Sequence, residues 1–229
     1  EHYGDPSSWM RGDQWDTVMN YDAFMEPITW FLTGMEKHSD ESNQQLYGNG
    51  DWFFRTMAYN MSKFQHASLE VAMNELSNHD HSRFLTRTNR MIGRTVTKGP
   101  EAAGENINKG VFREGVVIQL TWPGAPTIYY GDEAGQVGWT DPDNRRTYPW
   151  GKEDWELIEF HRYMITLHKT IPCLKNGSLK PLISGEHLIV YGRFTKETKA
   201  VIIVNNKAEY RNVSIPVWEI EVPLEAEMA

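Results

Sequence analysis

The sequence predicts an α/β fold, in which a parallel sheet or β/α barrel is followed by a small antiparallel β unit. Apolar strand-like runs alternate with helical patterns between Asp16 and Thr170, which is the rhythm of parallel β/α units. Polar clusters stand at the ends of those runs, where such a barrel places its chemistry. After Cys173 the pattern changes to short β-branched segments separated by polar turns.

Gly4 and Pro6 keep the opening irregular, and Ser7 to Arg11 can begin a short helix from a serine cap. Asp16 to Tyr21 reads as a short strand. Phe24 to Gly34 reads as a helix begun near Pro27, whose fixed φ suits a first turn, and ended by Gly34. Lys37 to Gly50 is polar enough to predict a surface loop. Asp51 then caps a helix with Phe53, Phe54, Met57, Ala58 and Met61 at helical spacing, running to about Gln65.

Leu69 to Ser77 reads as one buried strand that delivers Asn78, His79, Asp80, His81, Ser82 and Arg83. The stretch from Arg83 to Glu105 is too long for an ordinary connection and predicts a functional or partly helical excursion. Asn106 to Thr121 carries Ile107, Val111, Val116, Val117, Ile118 and Leu120 on a helix stopped by Pro123 and Gly124. Ala125 to Tyr130 is the next short strand, with Gly131, Asp132 and Glu133 at its exit. Trp155 to Thr170 is a helix capped by the Lys152-Glu153-Asp154 run and closed by Pro172. Leu179–Ser184, His187–Thr195, Lys199–Asn205 and Tyr210–Ile215 read as four antiparallel strands. A boundary near Leu174 divides the chain into residues 1–173 and 174–229.

With 229 residues and 40% hydrophobic content, the chain can bury a substantial core. Its 23 basic and 31 acidic residues leave a net charge of −8, scattered along the sequence, so no basic face is offered to nucleic acid or anionic lipid. A single cysteine, Cys173, excludes an internal disulfide framework and any multi-cysteine metal site. No apolar run approaches the ~18 residues that a membrane-spanning helix needs. The cysteine usage leaves the compartment open.

The densest polar stretch is Asn78 to Arg83, an amide, two imidazoles, a carboxylate, a hydroxyl and a guanidinium in six positions. A helix N-cap would account for part of it. Two other exits, Glu1 to Asp5 and Gly131 to Arg146, add Glu1, Asp5, Asp132, Glu133, Asp141 and Asp143. Carboxylates with Arg, His, Asn and aromatic rings fit glycoside chemistry better than metal hydrolysis or phosphoryl transfer, for which no Gly-rich phosphate loop is present. The 9 Trp, 10 Tyr and 9 Phe include many core residues, but rings beside polar forks also suit sugar faces. Spacing alone predicts a polyol-binding mouth and goes no further.

The run from Glu1 to Tyr21 resembles the acid/base segment of the α-amylase superfamily, glycoside hydrolase family 13, in its neopullulanase, cyclomaltodextrinase and maltogenic amylase branch. Asn78-His79-Asp80 resembles that family's fourth sequence region. Ile128 to Glu133, followed by Asp141 to Trp150, resembles its eighth-strand exit. All three occur in family order and, with the trailing β unit, cover nearly the whole chain. The resemblance implies the C-terminal part of a (β/α)8 barrel followed by a small antiparallel β domain. It implies Glu1 as general acid/base, a carboxyl that needs a raised pKa to protonate the leaving oxygen. Asp80 would grip the sugar most tightly at the transition state, with His79 donating to the same ring. Asp141 and Arg145 resemble the pair that holds the non-reducing end, and Tyr21, Trp9 and Trp139 are stacking candidates.

The resemblance also implies parts absent between residues 1 and 229. A retaining mechanism needs a nucleophilic aspartate roughly 5 Å from the acid, which the family keeps on the preceding strand in an Arg-x-Asp segment. No such segment precedes Glu1, so the sequence reads as a C-terminal portion of an amylase-type enzyme, inactive by itself. No cofactor is expected in this chain, and a calcium site, if present, would belong to the N-terminal half. The expected substrates are maltodextrins, cyclodextrins or pullulan, and unpaired sheet edges predict self-association. A non-catalytic carbohydrate-binding module and a transglycosylase or sucrose-isomerising relative stay open as alternatives. Glu75, a carboxylate within the predicted strand, wants a buried partner.

Overall fold

The computed structural model describes residues 6–223, 225 and 226. The parallel layer is short. Met19 bridges Met73, and β1 (Met73–Asn74) pairs in parallel with β2 (Ala125–Pro126), so three chain segments lie side by side. Around them pack α1 (Glu26–Thr33), α2 (Gly50–Met61), α3 (His66–Glu70), α4 (Phe84–Arg87), α5 (Thr95–Lys98), α6 (Lys109–Thr121), α7 (Trp155–Thr170) and α8 (Pro172–Asn176). A separate antiparallel sheet of order β3 (Ser178–Gly185), β4 (Leu188–Phe194), β5 (Lys199–Asn205) closes the described chain.

The helix ends follow local chemistry. Asn49 caps α2 by accepting the Trp52 N–H at 2.9 Å, Asn108 caps α6 through Gly110 and Val111, and Asp154 caps α7 through Leu157. Asp51, predicted as a cap, therefore stands in the first turn of α2, where its charge still favours the helix dipole. Gly34 ends α1 at φ 68°, a left-handed conformation that glycine adopts without a Cβ clash.

Two predicted strands shorten greatly. Within Leu69–Ser77, α3 takes the first residues and only Met73–Asn74 is paired. Side-chain amides supplement the short main-chain ladder. Asn20 donates to the Asn74 amide oxygen at 2.9 Å, Asn74 donates to the Pro123 carbonyl at 2.9 Å, and Gln119 donates to the carbonyls of Asn74 and Thr127. Gly124 makes this possible, because a Cβ there would stand 2.4 Å from the Asn74 side chain. Likewise Ala125–Tyr130 is paired only at Ala125–Pro126, and Asp16–Tyr21 contributes only the Met19 bridge before a π-helical turn at Tyr21–Met25.

The predicted fourth antiparallel strand, Tyr210–Ile215, does not form. Arg211 instead donates to the Glu186 carbonyl at 2.6 Å, which ties the segment to the β3–β4 turn. The predicted surface loop Lys37–Gly50 is partly interior: Lys37 and Ser39 are buried, with Lys37 paired to Glu26 and Ser39 bonded to Ser82 at 2.9 Å. Polar composition signalled exposure, which Asp40, Glu41, Ser42, Gln44 and Gln45 keep, whereas Lys37 and Ser39 turn inward to internal partners.

One apolar core joins the helices to the sheet. Phe53, Phe54 and Trp122 meet Tyr191, Ile189, Ile202 and Val204, and Trp122 packs edge-on to Tyr191 at 5.0 Å. Tyr191 completes the joint by hydrogen bonding to Thr121 at 2.5 Å. No helix among the described residues is long and apolar enough to cross a membrane.

Candidate active site

The strand exits converge because a buried arginine collects them. Arg83 is fully buried and donates to the Tyr130 carbonyl at 2.6 Å, the Asn144 carbonyl at 2.9 Å and the Asp132 carboxylate at 2.9 Å. Its guanidinium also lies over Tyr129, 4.1 Å from the ring centre. Asn144, equally buried, returns hydrogen bonds to the carbonyls of Asn78 and His81 at 3.1 and 2.7 Å. Thus the 78–83 turn and the 129–146 loops are one hydrogen-bonded unit.

Beside the 79–80 turn lies a cleft of about 580 Å³, lined by Trp9, Trp15, Tyr21, Lys63, His79 and Asp80 among others. Asp80 and His79 are accessible, with side chains 42% and 51% exposed and His79 Nε2 3.5 Å from Asp80 Oδ1. The backbone of Asp80 is held from three directions. Its N–H donates to Asn78 Oδ1 at 2.9 Å, and its carbonyl accepts from Thr140 Oγ1 at 2.6 Å and the Asp141 N–H at 3.3 Å. A carboxylate exposed at its tip and fixed at its root is suited to hydroxyl binding without much loss of freedom on contact.

Arg145 pairs with Asp141 at 2.6 Å and donates to the His79 carbonyl at 3.1 Å. That pair therefore stands beside the 79–80 turn, both partners about half exposed. Tyr21 lines the cleft but is itself buried. Its ring meets His81 edge-on at 4.9 Å, and its hydroxyl accepts from Asn78. Trp9 is half exposed and stacks on Trp15, centroids 5.7 Å apart. Trp139 is wholly buried and donates to the Gly99 carbonyl, so it presents no stacking face and is a packing residue. Glu1 and Asp5 lie outside the described residues.

Buried polar groups surround the floor. His81 has its pKa driven strongly down, first by burial and then by the charge of Arg87, and it stays neutral. His38 is shifted the same way, by burial and then Lys37, and bonds to Thr140 at 2.7 Å. Glu75 is pushed up to about 7 by burial, against the opposing hydrogen bond from Asn78. That amide is the partner the sequence left unnamed. Arg83, Asn144 and Trp15 were not singled out from sequence as site residues, although the polar density at 78–83 contained the first of them. Among the described residues no group of three or more His, Cys, Asp or Glu side chains converges as a metal shell would.

An α/β chain with an aromatic, carboxylate-bearing cleft at the exits of parallel strands is the class that these features define. Residues 1–177 match the α-amylase catalytic domain, and the chain belongs to that family. Amylopullulanase of Thermoanaerobacter thermohydrosulfuricus is 32% identical across 94% of this chain, and neopullulanase 2 of Thermoactinomyces vulgaris is 31% identical across 96%. The chain spans 15% and 33% of those two relatives. The crystal structure of a debranching enzyme from Nostoc punctiforme superposes with a TM-score of 0.79 at 26% identity, covering 97% of this chain and 43% of that one.

Proposed function

We propose that the chain is the C-terminal part of a retaining α-glucoside hydrolase acting on maltodextrins, cyclodextrins or pullulan. Residues 1–173 would be the later part of a (β/α)8 barrel, and residues 174–229 an appended β domain. The observation that carries the reading is the rooted but accessible Asp80, beside His79 in an aromatic cleft. The similarity to proteins named amylopullulanase and neopullulanase supports the substrate class.

In this mechanism Glu1 protonates the glycosidic oxygen and later activates water. Asp80 binds two sugar hydroxyls more tightly as the ring flattens toward the oxocarbenium ion, and His79 donates to the same sugar. Asp141 and Arg145 hold the far end of the glucan, and Trp9 and Tyr21 bound the sugar face. The nucleophilic carboxylate would come from residues other than 1–229, so this chain alone would turn over no substrate. The outer edges of its parallel layer, at Met19 and Ala125–Pro126, would pair with further chain, or with a second copy when none is supplied.

Kinetics of Asp80→Asn in an enzyme containing this chain test the assignment. The expected result is a kcat loss of about 10³-fold or more with KM nearly unchanged, as for a contact made mainly in the transition state. A loss confined to KM would reject the role.

A further inference from the structure

Glu75 takes no part in that mechanism, yet it is buried against Asn78 with 6% of its surface exposed. Its Oε2 accepts from Asn78 Nδ2 at 3.1 Å, and the same amide nitrogen donates to the Tyr21 hydroxyl at 3.0 Å. On its other side Asn78 Oδ1 accepts the N–H groups of Asp80 and His81 at 2.9 and 3.1 Å. The Tyr21 hydroxyl donates to Met19 Sδ at 3.3 Å and accepts from Asn78 through its oxygen. Every donor and acceptor of the Asn78 amide is thereby used.

The amide has one workable orientation. Flipped, it would set its nitrogen against two N–H donors and its oxygen against a carboxylate. The Asp80 and His81 N–H groups, reinforced by Glu75 when it is ionised, therefore select the orientation that holds the Asp80 backbone. The acids that face it are Asp80, from the same turn, and Asp132, from the 131–135 turn, the latter paired with Arg83 at 2.9 Å. Burial and these two acids favour its neutral form, whereas the Asn78 hydrogen bond favours the ionised one.

We infer that Glu75 is a positioning residue: through Asn78 it fixes the Asp80 end of the turn and the Tyr21 hydroxyl together, and its ionisation tightens the cleft for a glucan. A carboxylate accepts a charge-assisted hydrogen bond roughly twice as strong as a neutral acid does. Glucan affinity should therefore rise as Glu75 loses its proton. The affinity part rests on the glucan reading above, but the positioning part does not.

The experiment is a pH titration of the Asp80 and His81 backbone amides by NMR in wild type, Glu75→Gln and Glu75→Leu, with maltotriose affinity measured at pH 5.5 and 8. In wild type both amides should shift with a common midpoint near neutrality, and affinity should rise several-fold between the two pH values. Glu75→Gln keeps an acceptor without the charge, so that transition and the affinity rise should both disappear. Glu75→Leu removes the acceptor and should displace both amide resonances at every pH. Retention of the wild-type amide transition in Glu75→Gln, or unmoved Asp80 and His81 resonances in Glu75→Leu, would overturn the inference. If wild type binds no maltotriose at either pH, the glucan reading and the affinity rise fail, while the amide titrations still decide the positioning role.

Discussion

The cleft floor and the joint between helices and sheet are both densely buried, but they are held by opposite means. The joint is apolar: Phe53, Phe54, Trp122, Tyr191, Ile189 and Val204 interlock, and β4 and β5 add a regular ladder from Leu188–Asn205 to Phe194–Lys199. The floor has almost no ladder. Arg83, Asn144 and Ser82 bond side chain to loop backbone across 40 or more residues of sequence. Apolar packing tolerates adjustment, whereas a hydrogen-bonded floor leaves each partner stranded if one is lost. The chain thus uses its less forgiving material where atoms must be placed for chemistry.

The largest expected effects break the two regions separately. Arg83→Ala leaves Asp132 buried and unpaired, and Trp122→Ala opens a cavity at the joint. Each should cost about 3–5 kcal/mol in urea denaturation. Their consequences for ligand should differ: the protein that remains folded should bind maltotriose normally in Trp122→Ala and not at all in Arg83→Ala. Equal binding in both would erase the distinction. Asn144→Ala is intermediate, because it frees two buried carbonyls. It should lose about 1–3 kcal/mol, with the Asn78 and His81 carbonyl resonances shifting together.

A further effect sharpens the comparison through pH. Glu114, in α6 on the packing side of the molecule, is pushed up to about 8 by burial alone, and its Oε2 is buried with no hydrogen-bond partner. The folded chain holds this proton where the unfolded chain releases it near 4.5. Its contribution to stability is therefore full below about pH 4.5 and is lost as pH rises through about 8. Glu114→Gln should gain up to a few kcal/mol (~2–5) at pH 9 and nothing measurable at pH 4. A constant offset at all pH values would deny the buried charge.

The same contrast explains what the sequence disclosed. Helix α7 was legible to its ends because Asp154 caps it and Pro172 follows it, both local signals. The β3, β4 and β5 strands were legible from alternation and turn residues. The parallel strands were read too long, because apolar runs cannot reveal that the ladder stops after a few bonds and that Asn74 and Gln119 amides take up the neighbouring carbonyls. His79 and Asp80 stood out by polar density. Arg83 with Asp132 did not, since a pair 49 residues apart leaves no periodic trace. Glu75 was visible as an anomaly, but its partner was a fold-dependent fact even at three residues' distance.

The most direct test of the central claim is to map maltotriose onto the chain by backbone and Trp side-chain NMR shifts. The account predicts perturbations at His79, Asp80, Tyr21 and the Trp9 indole, with β3, β4 and β5 unaffected. Shifts confined to the antiparallel sheet, or none at all at millimolar sugar, would contradict it.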